Sequence, residues 1–148
     1  MDQIDKKIIA LLHKNARITV AQISRNIALS QPSVKERILR LEEQGIITGY
    51  HAKLSPEKID KHTTAFVLLK TNQCNKFLPF SKQSPEIVEL YRMGGEYNYL
   101  LKIWTESNET LTLFLQKLSN FGFSQTMIVM KTEFDLKLPI SDPVSFKV

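Results

Sequence analysis

Residues 30 to 40 read Ser-Gln-Pro-Ser-Val-Lys-Glu-Arg-Ile-Leu-Arg. In a helix, Val34, Ile38 and Leu41 share one face by their spacing of three and four, and Gln31, Ser33, Lys35, Glu36, Arg37 and Arg40 take the sides and front. Amide, hydroxyl and guanidinium groups present the donor and acceptor patterns that match base edges, and lysine or arginine neutralises phosphate. With a capping Thr19 and a first-turn Pro32, the set expected to face double-stranded DNA is Thr19, Gln31, Pro32, Ser33, Lys35, Glu36, Arg37 and Arg40. An ordinary solvated helix carries similar charge, so this assignment leans on the elements around it.

No residue is expected to be catalytic. Of the three histidines, His13 falls at the end of a first helix, where a cation is favourable, and His51 and His62 flank a polar linker without a nucleophile or carboxylate arranged for catalysis. The single cysteine, Cys74, excludes an internal disulfide and reads as an ordinary reduced thiol. Without a Cys/His cluster there is no zinc ligand set, so neither metal nor cofactor is expected. The formal charge of +5, spread over both halves, suits a polyanionic partner. The first residues are acidic where a signal peptide is basic, and the longest apolar run, Ala65 to Leu69, is too short to span a bilayer. The expectation is a soluble, cytoplasmic, nucleoid-associated protein with no membrane partner.

The elements that must position the polar face follow from periodicity. From Ile4 to Leu54 apolar residues recur at three and four, and beyond Thr63 they alternate, so a helical half precedes an extended one. Ile4, Ile8, Leu11 and Leu12 form the stripe of a first helix, with Asp2 or Asp5 at its positive end. A second helix starts at the N-cap Thr19 and carries Val20, Ile23 and Ile27; a third starts at the N-cap Ser30. Only Ala28-Leu29 separates them, which forces a steep crossing and a helix-turn-helix. Gly45 caps the third helix, and Ile46 to Leu54 reads as a short strand or wing. The domains are expected at 1–54 and 64–148, joined by a linker at 55–63 in which Ser55-Pro56 starts a single helical turn.

The distal half reads as strand, helix, strand, strand, helix, strand: Thr64–Thr71, Asn75–Lys82, Ile87–Arg92, Tyr97–Trp104, Asn108–Phe121 and Gln125–Leu136. That order is the split βαβ arrangement, and the fold class is α+β. Ala65, Val67 and Leu69 alternate with Phe66, Leu68 and Lys70, leaving both sheet faces largely apolar. One face covers the helices and the other is expected to meet a second copy.

These residues resemble the Lrp/AsnC family, the feast-or-famine transcription regulators, over almost the whole chain. The resemblance rests on Asp2-x-x-Asp5-x-x-Ile8, Ala16-Arg17, Leu29-Ser30, Val34-x-x-Arg37, and Leu41-Glu42-x-x-Gly45-Ile46-Ile47-x-Gly49-Tyr50. It implies a winged-helix-like DNA-binding domain followed by a βαββαβ ferredoxin-like domain that senses an amino acid and forms dimers, with assembly to octamers. Gly94-Gly95-Glu96-Tyr97-Asn98-Tyr99 is similar to the segment beside the family's effector cleft. Paired glycines let a ligand carboxylate reach backbone amides, and Glu96 attracts an ammonium group, although a plain hairpin needs the same glycines. The effector set is therefore Gly94, Gly95, Glu96, Asn98 and Thr126.

Four positions depart from the family pattern: Ser24 where Ala is common, Ala28 where Gly often makes the turn, Asn98 in place of Asp, and Ile128 in place of a second threonine after Thr126. The function implied is sequence-specific transcription regulation. Alternatives carried by the same resemblance are a DNA-architectural protein and, more remotely, a sirohaem decarboxylase-like enzyme using the histidines.

Overall fold

A computed structural model describes residues 1–140. Among these residues there are two compact units, residues 1–53 together with 134–140, and residues 54–133.

The helical unit contains α1 (Gln3–Lys14), α2 (Val20–Ile27) and α3 (Gln31–Glu43). Each starts on a side chain that satisfies its orphan amides, and Thr19 and Ser30 are the caps expected for α2 and α3. Asp2 accepts from the Asp5 N–H while Asp5 accepts from the Asp2 N–H, and Thr19 and Gln22 form the same reciprocal box. The Ser30 hydroxyl accepts from the Ser33 N–H. Ile8, Ile23, Val34 and Leu41 are fully buried where the three helices meet, with Ile4, Leu11, Leu12, Ile27 and Ile38 packed around them. The expected two-residue turn is present, and Ala28 takes it in the left-handed region at φ 53°.

The expected strand over residues 46–54 does not form. Gly45, at φ 67°, turns the chain back so that the Ile46 and Ile47 N–H groups both donate to the Leu41 carbonyl, at 2.9 and 3.1 Å. Those bonds close the end of α3, and among the described residues no strand pairs with this segment. Tyr50 is instead tied back to α3 by its hydroxyl, which donates to Glu42 Oε1 at 2.7 Å. Partial burial and that carboxylate push its pKa up to about 12. The expected single turn of the linker is a 3-10 helix over Pro56–Ile59.

The second unit contains β1 (Thr63–Lys70), α4 (Cys74–Gln83), β2 (Ile87–Arg92), β3 (Tyr99–Thr105), α5 (Asn108–Leu118) and β4 (Phe123–Ile128). The strands form an antiparallel sheet in the order β2-β3-β1-β4. Register places Ala65, Val67 and Leu69 opposite Ile103, Leu101 and Tyr99 on one face. There they pack with Phe77 of α4 and Leu111, Phe114 and Leu118 of α5.

The last strand is shorter than expected. Ile128 pairs with Ala65, the Val129 N–H still reaches the Thr64 carbonyl at 2.9 Å, and β1 begins at Thr63, so no ladder remains for Met130 onward. The end of one strand is set by the start of another.

The other sheet face carries Phe66 and Leu68 of β1, Leu100, Lys102 and Trp104 of β3, and Phe123, Gln125 and Met127 of β4. No element of the unit covers it, and Phe123 is 66% exposed. Its polar members pair locally: Lys102 Nζ lies 2.8 Å from Glu89 Oε1, whose other oxygen accepts from the Tyr91 hydroxyl at 2.6 Å.

Candidate functional site

The outward face of α3 begins where its core residues end. Gln31, Pro32, Lys35 and Glu36 are exposed. Gln31, Pro32 and Lys35 join Val20 of α2 around an open hollow of about 820 Å³. The Ser30 cap and the proline fix this first turn, and the turn at Ala28 brings the start of α2 beside it. Among the described residues, the side chains of Gln31, Lys35 and Glu36 make no hydrogen bond or ion pair, so their polar groups are open to a ligand.

Two other members of the expected set spend their hydroxyls locally. Thr19 is engaged by Gln22 as a cap, and Ser33 shares a hydrogen bond with Ser30 at 2.8 Å.

Arg37 faces elsewhere, correcting its placement on the open front. Its Nη1 lies 2.8 Å from Asp2 Oδ2 and 2.7 Å from Asp5 Oδ1, and the side chain is 24% exposed. Arg40 contributes a longer contact, Nη2 to Asp5 Oδ1 at 3.3 Å, and keeps half its side chain in solvent. Asp5 itself is buried, and its second oxygen accepts from the Asp2 N–H at 2.9 Å. Burial pushes the Asp5 pKa up, but the Asp2 amide and Arg37 outweigh it and hold the carboxyl below the usual range. For Asp2 the Asp5 N–H, then Arg37, bring the value down to about 2. The cluster bolts the start of α1 to the middle of α3, which sets the direction of the exposed first turn. Sequence reading found the two aspartates as helix-end charges and missed this second role.

In the sheet unit, Gly94 and Gly95 lie in the β2–β3 hairpin, with Gly95 at φ 118°. Glu96 is exposed and pairs with Lys70 at 3.4 Å. The Asn98 side chain is half-buried and engaged by the backbone of Thr71. Its Oδ1 accepts from the Thr71 N–H at 2.9 Å and its Nδ2 donates to the Thr71 carbonyl at 2.7 Å. Aspartate could make only the first of these bonds. Tyr97, which sequence reading left without a role, reaches β4, its hydroxyl donating to Gln125 Oε1 at 3.3 Å. Thr126 opposes Val67 on the helix-covered face and is half-buried, one face away from the β4 residue that the hairpin touches.

Comparison with known proteins agrees with both units. Residues 1–48 match the winged helix-turn-helix DNA-binding model and residues 64–138 the Lrp/AsnC ligand binding domain. The chain is 36% identical over 132 residues to the HTH-type transcriptional regulator YezC of Bacillus subtilis, covering 89% of this chain and 95% of the relative. It is 35% identical over 146 residues to the HTH-type transcriptional regulator FL11 of Pyrococcus furiosus, covering 95% and 97%. The structure of LrpC from B. subtilis superposes with a TM-score of 0.86 at 33% identity, covering 93% of this chain and 99% of that one. A transcriptional regulator of Neisseria meningitidis in complex with L-Met superposes with a TM-score of 0.83 at 28% identity, covering 91% and 93%. With an exposed first turn on α3 in one unit, a ferredoxin-like sheet in the other and these relatives along nearly its full length, the chain belongs to the Lrp/AsnC family of DNA-binding transcriptional regulators.

Proposed function

We propose that the chain regulates transcription by reading double-stranded DNA with the first turn of α3, through Gln31, Pro32 and Lys35 together with Val20. The observation that carries this is the contrast along one helix. Gln31 and Lys35 have free side chains lining a hollow, whereas Arg37 is held by Asp2 and Asp5. The N-terminal residues of a recognition helix are those that meet base edges. Gln31 suits adenine, whose N6 and N7 match its amide, and Val20 and Pro32 offer apolar contact to a thymine methyl. Lys35 and Arg40 serve phosphate, while Arg37 acts through position.

The test is operator selection followed by a salt titration. Gln31→Ala should relax preference at one base pair, worth about 1–3 kcal/mol. Lys35→Ala should weaken all sequences alike and reduce the salt slope by about one. Wild-type preference and slope in both variants would defeat the assignment.

The open apolar sheet face supports a homodimer, which carries two reading helices to half-sites about one DNA turn apart, with an octamer as the higher assembly. Sedimentation of Phe66→Glu against wild type tests it; an unchanged mass would place the interface elsewhere. The ligand-binding domain and the L-Met complex of a relative support an amino-acid effector at Gly94, Gly95 and Glu96. Thr126 joins that set only as an indirect support of β4. A free amino acid at millimolar concentration should then raise the melting temperature, and no shift across a full amino-acid panel would remove this part. No enzymatic role is proposed. Among the described residues no helix is long and apolar enough to cross a membrane.

A further inference from the structure

Cys74 is the first residue of α4 and is partly exposed. Asn98 Nδ2, already donating to the Thr71 carbonyl, stands 3.7 Å from its sulfur, so the second amide proton points at the thiol. The adjacent Tyr99 is 1% exposed, and its hydroxyl is the one buried side-chain polar atom among the described residues without a hydrogen-bond partner. Burial, then the neighbouring Cys74 thiol, push the Tyr99 pKa up, so the hydroxyl keeps its proton at neutral pH and remains a donor. Asn98 thus donates to a sulfur, which is a weak acceptor, and the Tyr99 hydroxyl has no acceptor at all. The site holds one good acceptor fewer than its donors require.

We propose that Cys74 is a reversible oxidation site for peroxides, whose sulfenic acid oxygen takes the hydrogen bonds that Tyr99 and Asn98 offer. The deprotonated sulfur attacks one peroxide oxygen, the O–O bond breaks as the S–O bond forms, and the displaced oxygen leaves as water or an alcohol with the proton. Sulfur is oxidised by two electrons and the peroxide is reduced by two. A low-molecular-weight thiol then displaces water from the sulfenic acid to give a mixed disulfide, and a second thiol returns Cys74 with release of a small disulfide. Cys74 is the single cysteine of the chain, so the oxidised form has no internal thiol with which to condense. The Asn98 departure fits the same chemistry, because an aspartate there offers no proton to the sulfur. This inference does not rest on the effector assignment.

The test uses the full chain, hydrogen peroxide and trapping with dimedone, read by intact mass. Wild type should gain a single adduct that Cys74→Ser lacks, and dithiothreitol added before the trap should abolish it. Tyr99→Phe removes only an unpaired hydroxyl and should fold normally, yet shorten the sulfenic acid lifetime roughly five-fold, the effect of one lost hydrogen bond. Asn98→Asp should act in the same direction, and Tyr99→Phe decides alone if that variant fails to fold. No adduct, direct passage to the sulfinic acid, or a wild-type lifetime in Tyr99→Phe would each overturn the proposal.

Discussion

Asp5 in the helical unit and Tyr99 in the sheet unit are each 1% exposed, yet their polar groups live in opposite surroundings. The Asp5 carboxylate accepts from Arg37, from Arg40 and from the Asp2 amide, while the Tyr99 hydroxyl accepts and donates nothing in full geometry. Around Asp5 the apolar core is thin: Ile8, Ile23, Val34 and Leu41 are its buried members. Around Tyr99 it is broad and aromatic, with the Phe77 ring 4.9 Å away and Arg92 over its face at 5.8 Å. A three-helix unit has little area to bury, so directional charge fixes where α3 points. The sheet unit has area to spare and tolerates an unpaired hydroxyl.

The sharpest way to break this contrast is to remove the carboxylate. Asp5→Ala removes the buried carboxylate shared by Arg37, Arg40 and the Asp2 N–H, leaving Arg37 with Asp2 alone, and should cost about 1.5–3 kcal/mol, the worth of a hydrogen bond to a charged group. The only tryptophan, Trp104, lies in β3 and reports the sheet unit alone. Urea unfolding should therefore show an early loss of helical circular dichroism with the Trp104 transition unmoved, and DNA affinity should fall with the former. A shift of both transitions would show that the units do not respond separately.

The sheet unit should be more sensitive to volume than to charge. Gly122 is the point to press, because a Cβ there would stand 2.1 Å from the Lys70 carbonyl oxygen, a backbone atom that cannot turn aside. Gly122→Ala should cost about 1–3 kcal/mol, the range for overpacking. It should move the Trp104 transition and leave DNA-dependent stabilisation of the helical unit intact. A variant as stable as wild type would mean that the chain around Phe121 gives way freely.

What the sequence made legible, and what it hid, divides along the same line. The N-caps Thr19 and Ser30, the helix-end charge at Asp2 or Asp5 and the turn at Ala28 could be read because their partners lie within a few residues. Arg37 was misplaced because its partners lie 35 and 32 positions away, and its helical spacing suits a free face equally well. The contact of Asn98 with Thr71 was hidden for the same reason, the two being 27 positions apart. The succession of strands and helices followed from alternation and turn chemistry, but the end of β4 depends on where β1 begins, which no local pattern of β4 contains.

Acid should test the Asp2–Asp5–Arg37 cluster without replacing a carboxylate. Folding lowers the Asp2 pKa from 3.8 to about 2 and lowers that of Asp5 as well. A depressed carboxyl pKa adds stability that is complete above the unfolded value and vanishes as pH falls through the folded one. The helical unit should therefore lose stability between about pH 4 and pH 2. Arg37→Gln should flatten that dependence, since the guanidinium is one of the groups that hold both carboxyls down. An acid profile unchanged by Arg37→Gln would mean that the capping amides alone account for it.

The smallest effect concerns the turn that precedes the reading helix. Ala28 sits at φ 53°, ψ 45°, a region that costs an alanine about 1 kcal/mol relative to glycine. The Ser24 hydroxyl donates to the Leu29 carbonyl just beyond it, and the Leu29 N–H returns to the Ser24 carbonyl at 3.2 Å. The two departures from the family pattern in this motif are thus neighbours in one structure, the serine clamping the turn that the alanine strains. Ala28→Gly should stabilise the helical unit by about 1 kcal/mol, and Ser24→Ala should cost about as much, the worth of one hydrogen bond. Because the clamp holds a strained turn, Ser24→Ala should cost less when residue 28 is already glycine. A double-mutant cycle on helical circular dichroism measures that coupling. Strict additivity would make the serine and the alanine independent, and the turn would then owe its shape to the packing of Ile27 and Leu29 against the core.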